Sequence, residues 1–161
     1  MSDQAEVLAQ RFEQANEEVI RVVESCPDQQ WHTHHRSENR PVNVLAHHIA
    51  IGHLAIAEWA QSIATGQPVP AFTMESFTEP NARHAQQYAK VSKPEVIAEL
   101  RRQGAAAASV VRGLTDEQLD RTGEFVGRQW RVRELIEGVL IGHVNNHLGS
   151  IREALGTSVM S

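Results

Sequence analysis

Val139-Leu140-Ile141-Gly142-His143-Val144-Asn145-Asn146-His147-Leu148-Gly149 sets two histidines four residues apart inside an apolar run. Residues i and i+4 of an α-helix share one face with Cβ atoms about 5–6 Å apart. Two imidazoles so placed can reach one ion at metal–nitrogen distances of about 2.0–2.1 Å. With Val139 at zero and about 100° per residue, Ile136, Leu140, Ile151 and Val144 fall between about 60° and 140°, and His143 and His147 at about 40° and 80° lie on the same stripe. A buried imidazole without a partner has its charged form penalised, so two on one stripe need a shared explanation. Metal binding supplies one; the alternative makes both of them core or groove histidines hydrogen bonded to neighbouring helices.

A third ligand has to come from another helix, and Val44 to Trp59 offers His47, His48 and His53. With Val44 at zero, Leu45, Ile49, Ile51, Ala55, Ile56 and Trp59 average near 60°, and His48 at about 40° sits within them. His47 points about 100° away from His48, and His53 lies near 180°, where a surface or helix-packing role is expected. Leu54 broadens the stripe, so periodicity favours His48 over His47 without deciding between them.

Around these two segments the remaining chain reads as helices. Val7, Leu8, Phe12, Ala15, Val19, Val22 and Val23 recur at helical spacing from about Gln4 to Glu24, and Cys26-Pro27 ends that helix. Asp28 to Asn39 is polar, a loop anchored by Trp31. Pro41 opens a second helix from about Val42 to Thr65, stopped by Gly66 and Pro68. A short helix is expected from Asn81 to Ala89. Ser92 with Glu95 forms a capping box for a helix whose alanine-rich run to Val111 suits close packing, with Gly113 at its end. Thr115-Asp116-Glu117-Gln118 starts a turn or two, and the last helix runs from about Val132 to Leu155 with Gly156 as its stop. No strand is expected. Four long helices predict an all-α four-helix bundle with short extra helices in its connections, a single domain over residues 1–161.

Composition narrows the function classes. One cysteine, Cys26, in 161 residues cannot form an internal disulfide, and the chain shows neither a signal-peptide run nor 18 consecutive apolar residues. A cytoplasmic protein without a membrane partner is expected. The net charge of −5 and the sparse Arg101, Arg102 and Arg112 argue against nucleic acid. Nine histidines are the distinctive count, because imidazole is the commonest metal ligand. His32, His34 and His35 are expected to be solvated on their loop, His84 to lie at the surface beside Arg83, and Cys26 to be inert. Asn146, Glu58 and Glu137 are near enough in helical terms to support a metal site, though each reads more simply as a solvated helix residue.

Two further stretches carry a resemblance. Leu45-Ala46-His47-His48-Ile49-Ala50, with Pro41-Val42 at its helix start, resembles the second-helix signature of the DinB/YfiT-like superfamily. Trp130-Arg131-Val132-Arg133-Glu134-Leu135, leading to His143-Val144-Asn145-Asn146-His147-Leu148-Gly149, resembles the fourth-helix signature. The resemblance implies an up-down-down-up bundle, often a homodimer, with a divalent metal such as zinc or nickel held at positions that fall on His48, His143 and His147. It also implies either thiol-dependent transfer, with a low-molecular-weight thiol as cosubstrate, or metal-dependent hydrolysis. The resulting expectation is a metal-dependent enzyme with S-transferase-like activity on small electrophiles. A hydrolase and a non-catalytic small-molecule-binding module are the alternatives. Val144 stands where an HExxH protease motif has its glutamate, so no catalytic base is assigned.

Overall fold

The computed structural model describes residues 2–156. Four long helices form the bundle: α1 (Asp3–Ser25), α2 (Val42–Ala64), α4 (Lys93–Arg112) and a final helical run ending in α7 (Gly142–Ala154). Capping fixes two of the starts. Ser2 accepts the Ala5 amide at 3.0 Å and Ser92 the Glu95 amide at 3.3 Å, satisfying donors that a helix N-terminus leaves open. The short helix of the long connection, α3, spans Thr78–Gln87, beginning three residues before the expected Asn81. A 3₁₀ turn at Met74–Phe77 feeds directly into it.

Helix directions follow from which ends meet. Lys93 at the start of α4 donates to the Cys26 carbonyl at the end of α1, so these two are antiparallel. Asn43, at the start of α2, donates to the Ala89 carbonyl just before α4, at 2.9 Å. Trp31 Nε1 donates to the Val91 carbonyl at 3.0 Å. Both bonds bring the start of α4 beside the start of α2, making α2 and α4 parallel. Near the end of α7, Arg152 pairs with Glu18 and Glu153 with His35, so α7 runs with α1. The order is up, down, down, up, as expected.

The expectation of no strand is corrected. After α5 (Asp116–Asp120), strands β1 (Thr122–Phe125) and β2 (Arg128–Arg131) pair antiparallel, with Phe125 opposite Arg128. Val126 (φ 48°) and Gly127 (φ 76°) make the two-residue turn. Hairpin turns of this kind favour Asn-Gly or Asp-Gly, so Val-Gly gives no signal in the sequence. A β-branched residue at positive φ is strained; Val126 packs against the core, which offsets that cost. The last helix is also not uniform. Between α6 (Val132–Leu135) and α7, residues Ile136–Ile141 form a π-helical segment.

The core is apolar: Phe12, Ile20, Leu45, Ile49, Leu100, Leu135, Ile136, Leu140 and Ile151 are fully buried. Among them lies a polar layer. His53 is 0% exposed, its Nε2 meets Asn16 Oδ1 at 2.8 Å, and Asn16 Nδ2 donates to the Leu100 carbonyl at 3.0 Å. This is a helix-packing role, as expected for His53, joining α1, α2 and α4. Most apolar residues of α1 and α4 lie inside the bundle, whereas Val7 on α1 is 53% exposed.

Gly104 leaves room for this layer, because a Cβ there would overlap the Asn16 amide. Gly104→Ala is expected to destabilise by about 1–3 kcal/mol through overpacking. Gly149→Ala, on the same bundle where a Cβ meets nothing within 4 Å, should stabilise by about 0.5–1 kcal/mol; urea denaturation of both variants checks the opposite signs. Burial also pushes the His53 imidazole down to about 3. The unfolded chain therefore binds a proton near pH 6.5 that the folded chain refuses, and stability is lost as pH falls from about 6.5 toward about 3. Between pH 6.5 and 5 this should amount to roughly 1–2 kcal/mol. His53→Leu is expected to reduce the pH dependence of the melting temperature of metal-free protein over that window by this share, leaving the shares of His48 and His143.

Candidate metal centre

α2 and α7 face each other across a narrow seam. His48 stands nearly two turns into α2, while His143 and His147 lie one turn apart at the start of α7. His48 Nε2 and His143 Nε2 are 3.0 Å apart. The three ring centroids are separated by 4.8, 4.8 and 4.6 Å, and one nitrogen from each ring lies within 4.8 Å of the other two. Each of the three residues is partly exposed.

The donor set fits a divalent ion. Two nitrogens each at 2.0–2.1 Å from one ion, at an angle of 90–109°, stand roughly 2.9–3.4 Å apart, and the His48–His143 separation lies in that range. Three neutral imidazoles suit zinc, nickel, copper or iron. Burial, reinforced by the neighbouring imidazoles, pushes His143 down to about 3 and His48 further still. Both are thus neutral at physiological pH, the state a ligand nitrogen needs.

Close approach of the helices depends on Gly52. A Cβ at that position would stand 2.7 Å from His143 Cε1, so α2 presents bare backbone where the ring rests.

Around the three rings the surroundings are unequal. Nδ1 of His48 and Nδ1 of His143 are buried without a hydrogen-bond partner among the described residues. His147 Nδ1 instead meets both carboxylate oxygens of Glu38, at 3.1 and 3.2 Å. Glu38 also pairs with Arg40 at 2.7 Å. Burial alone would raise the Glu38 carboxyl; hydrogen bonds from His147, Ser150 and Arg40 outweigh it and hold the group well below the usual carboxylate range.

The structure brings together His48, His143 and His147 and leaves the other candidates out. His47 turns away, with Nδ1 2.7 Å from His84 Nε2 and its ring stacked on Tyr88. His84 is corrected from a surface residue to a buried one, edge-on to His48 with centroids 5.9 Å apart. Arg83 is exposed and pairs with Glu79. His53 serves the polar layer. Of the loop histidines, His32 and His34 are not buried, but His35 is, bonded to Glu153 at 2.8 Å. Glu137 pairs with Arg11 on the surface, and Glu58 and Asn146 are exposed. Cys26 is buried, which raises its thiol and agrees with an inert role. Sequence reasoning missed Glu38 and Arg40, whose loop has no periodicity to read.

Gly52→Ala is expected to push the His143 ring off the seam and weaken zinc binding by about tenfold or more, the scale on which disturbed support of a ligand acts. Competition with a chromogenic chelator measures this.

Comparison with known proteins agrees with the geometry. No curated protein matches the chain. Among solved structures it is similar to YfiT from Bacillus subtilis, described as a probable metal-dependent hydrolase with an unusual four-helix bundle topology. The identity is 20%, the match covers 98% of this chain and 91% of that one, and the TM-score is 0.75. That likeness establishes the fold. The sequence also matches the DinB superfamily model over residues 11–151, most of the length of the chain and all four long helices in part or whole; the chain belongs to the DinB superfamily.

Proposed function

We propose that this protein is a divalent-metal-dependent enzyme acting on a small molecule, with His48, His143 and His147 as the metal ligands and hydrolysis as the reaction class. The observation that carries the reading is the convergence of three partly exposed imidazoles from two helices on one point. Three nitrogen ligands leave a fourth position for water or substrate, the pattern of catalytic rather than closed structural sites. A zinc or nickel ion held there supplies Lewis-acid chemistry, acidifying a water or thiol and polarising a carbonyl or phosphoryl group.

The description of YfiT as a probable metal-dependent hydrolase supports hydrolysis over the thiol-dependent transfer expected from the sequence. No described side chain near the three rings marks a thiol cosubstrate. The protein's own contribution is to keep His48 and His143 neutral, to hold His143 against the bare backbone of Gly52, and to leave the three residues partly exposed on a face that a substrate would reach. None of the described helices is long and apolar enough to cross a membrane, and the proposed substrate is a small molecule reaching that face.

Elemental mass spectrometry of untagged protein tests the site. About one zinc or nickel per chain is expected, lost in each of His48→Ala, His143→Ala and His147→Ala. Cobalt-substituted protein whose visible spectrum responds to azide would show an exchangeable position and support the enzyme reading, followed by turnover of a panel of esters, amides and phosphoesters. A wild-type protein that takes up no metal on reconstitution overturns the proposal. A spectrum that responds to no added ligand points to a binding module.

A further inference from the structure

The loop between α1 and α2 does more than connect them. His35 is buried, and both of its ring nitrogens are used. Nδ1 accepts the Glu38 amide at 3.1 Å, and Nε2 meets Glu153 on α7 at 2.8 Å. An accepting Nδ1 puts the proton on Nε2, so His35 donates to Glu153 as a neutral ring. The His35 amide donates to the Arg40 carbonyl at 3.0 Å, and the Asn39 amide to the His35 carbonyl at 2.9 Å. Asn39 takes φ 52° to close this turn, a conformation that asparagine tolerates better than most residues. Residues 35–40 therefore form a tight turn pinned to α7 one and a half helical turns beyond His147. From it the Glu38 side chain, 18% exposed, reaches back to His147.

We propose that Glu38 is the positioning residue of the metal centre: its carboxylate accepts the Nδ1–H of His147 and so fixes the tautomer that turns Nε2, with its lone pair, toward His48 and His143. The inference rests on the metal-centre reading above. A carboxylate can only accept, so it dictates which nitrogen carries the proton. A ligating histidine ordinarily has its second nitrogen held in this way, and its ring basicity rises with it. Here only one of the three rings has such a partner among the described residues. His48 and His143 are held by packing on the helix seam, whereas His147 is held by a loop. Glu38 thereby links the order of the 35–40 turn, through the His35–Glu153 contact, to the third ligand.

Glu38→Gln keeps the size of the side chain but offers an amide NH₂ that can donate to Nδ1 and reverse the tautomer. Zinc affinity of metal-free protein, measured by chelator competition, is expected to fall by about 10–100-fold in Glu38→Gln. The visible spectrum of its cobalt form should change in the same variant. Glu38→Asp, which restores the acceptor, should recover part of both. Glu137→Gln, at an exposed pair with Arg11, is the control and should bind as wild type. Melting curves of the metal-free forms separate this from misfolding, since Glu38→Gln keeps the packing of the side chain and should leave the melting temperature of the metal-free protein close to wild type. Wild-type affinity with an unchanged cobalt spectrum in Glu38→Gln overturns the proposal. So does loss of one oxygen neighbour from the zinc X-ray absorption spectrum in that variant, which would make Glu38 a ligand. Failure of the wild type to bind zinc at all is a distinct result that removes the metal reading itself.

Discussion

The bare backbone of Gly52 against the ring of His143 is the contact on which the centre depends. Two helices that carry ordinary side chains pack at interaxial distances of about 8–10 Å. A ligand ring from one can reach a ligand ring on the other only where the seam is thinned. Gly52 supplies that thinning one turn beyond His48, on the face that His48 already shares with it. The cost is a glycine inside a helix, roughly 0.5–1 kcal/mol relative to alanine. Desolvating the rings of His48 and His143, whose charged forms burial disfavours, is a second cost. The site is thus a local exception to apolar packing that the rest of the bundle supports.

That support is layered. At the middle of the bundle Asn16 and His53 tie α1, α2 and α4 through two hydrogen bonds and the space left by Gly104. Buried polar groups with partners fix register, since a sliding helix would leave each of them unsatisfied. His53 lies five residues after His48 on the same helix. The register that satisfies Asn16 is therefore also the one that fixes how far along α2 the metal ligand stands. Packing specificity and site geometry are the same constraint at this point.

Legibility in the sequence follows from how local each signal is. His143 and His147 were readable because their relation needs only the 3.6-residue repeat. His48 was readable more weakly, because choosing it over His47 needs the phase of a whole apolar stripe; the structure separates them by sending His47 to His84 and Tyr88. The helix order was legible from caps and breakers: Ser92, Pro41 and Gly113 all act where expected. The hairpin was not, because its turn uses Val126-Gly127, where half-buried Val126 packs against the core and turn propensity gives no signal. Glu38, Arg40 and His35 were not legible either. Their placement depends on Asn39 at positive φ and on a contact with Glu153, 118 residues away from His35, and neither leaves a periodic trace.

The π-helical segment shows why a uniform 100° repeat nevertheless found the ligands. Ile136–Ile141 is wound more widely than an α-helix, so the phase of everything after it is displaced relative to Val132 and Leu135. His143 and His147 both follow the segment, and their angular relation to each other is untouched. Trp130 lies over Gly138 inside the segment, where a Cβ would stand 3.4 Å from the ring, and its Nε1 donates to the Phe125 carbonyl at 3.0 Å. The hairpin, invisible to periodicity, thereby braces the part of the last helix where the phase changes. Both departures from regular structure fall just before the ligands, where wide turns are often found at functional sites. The direction in which the HxxxH face points is accordingly set by the hairpin and the π turn together, while the spacing within that face is set by the α-helix alone.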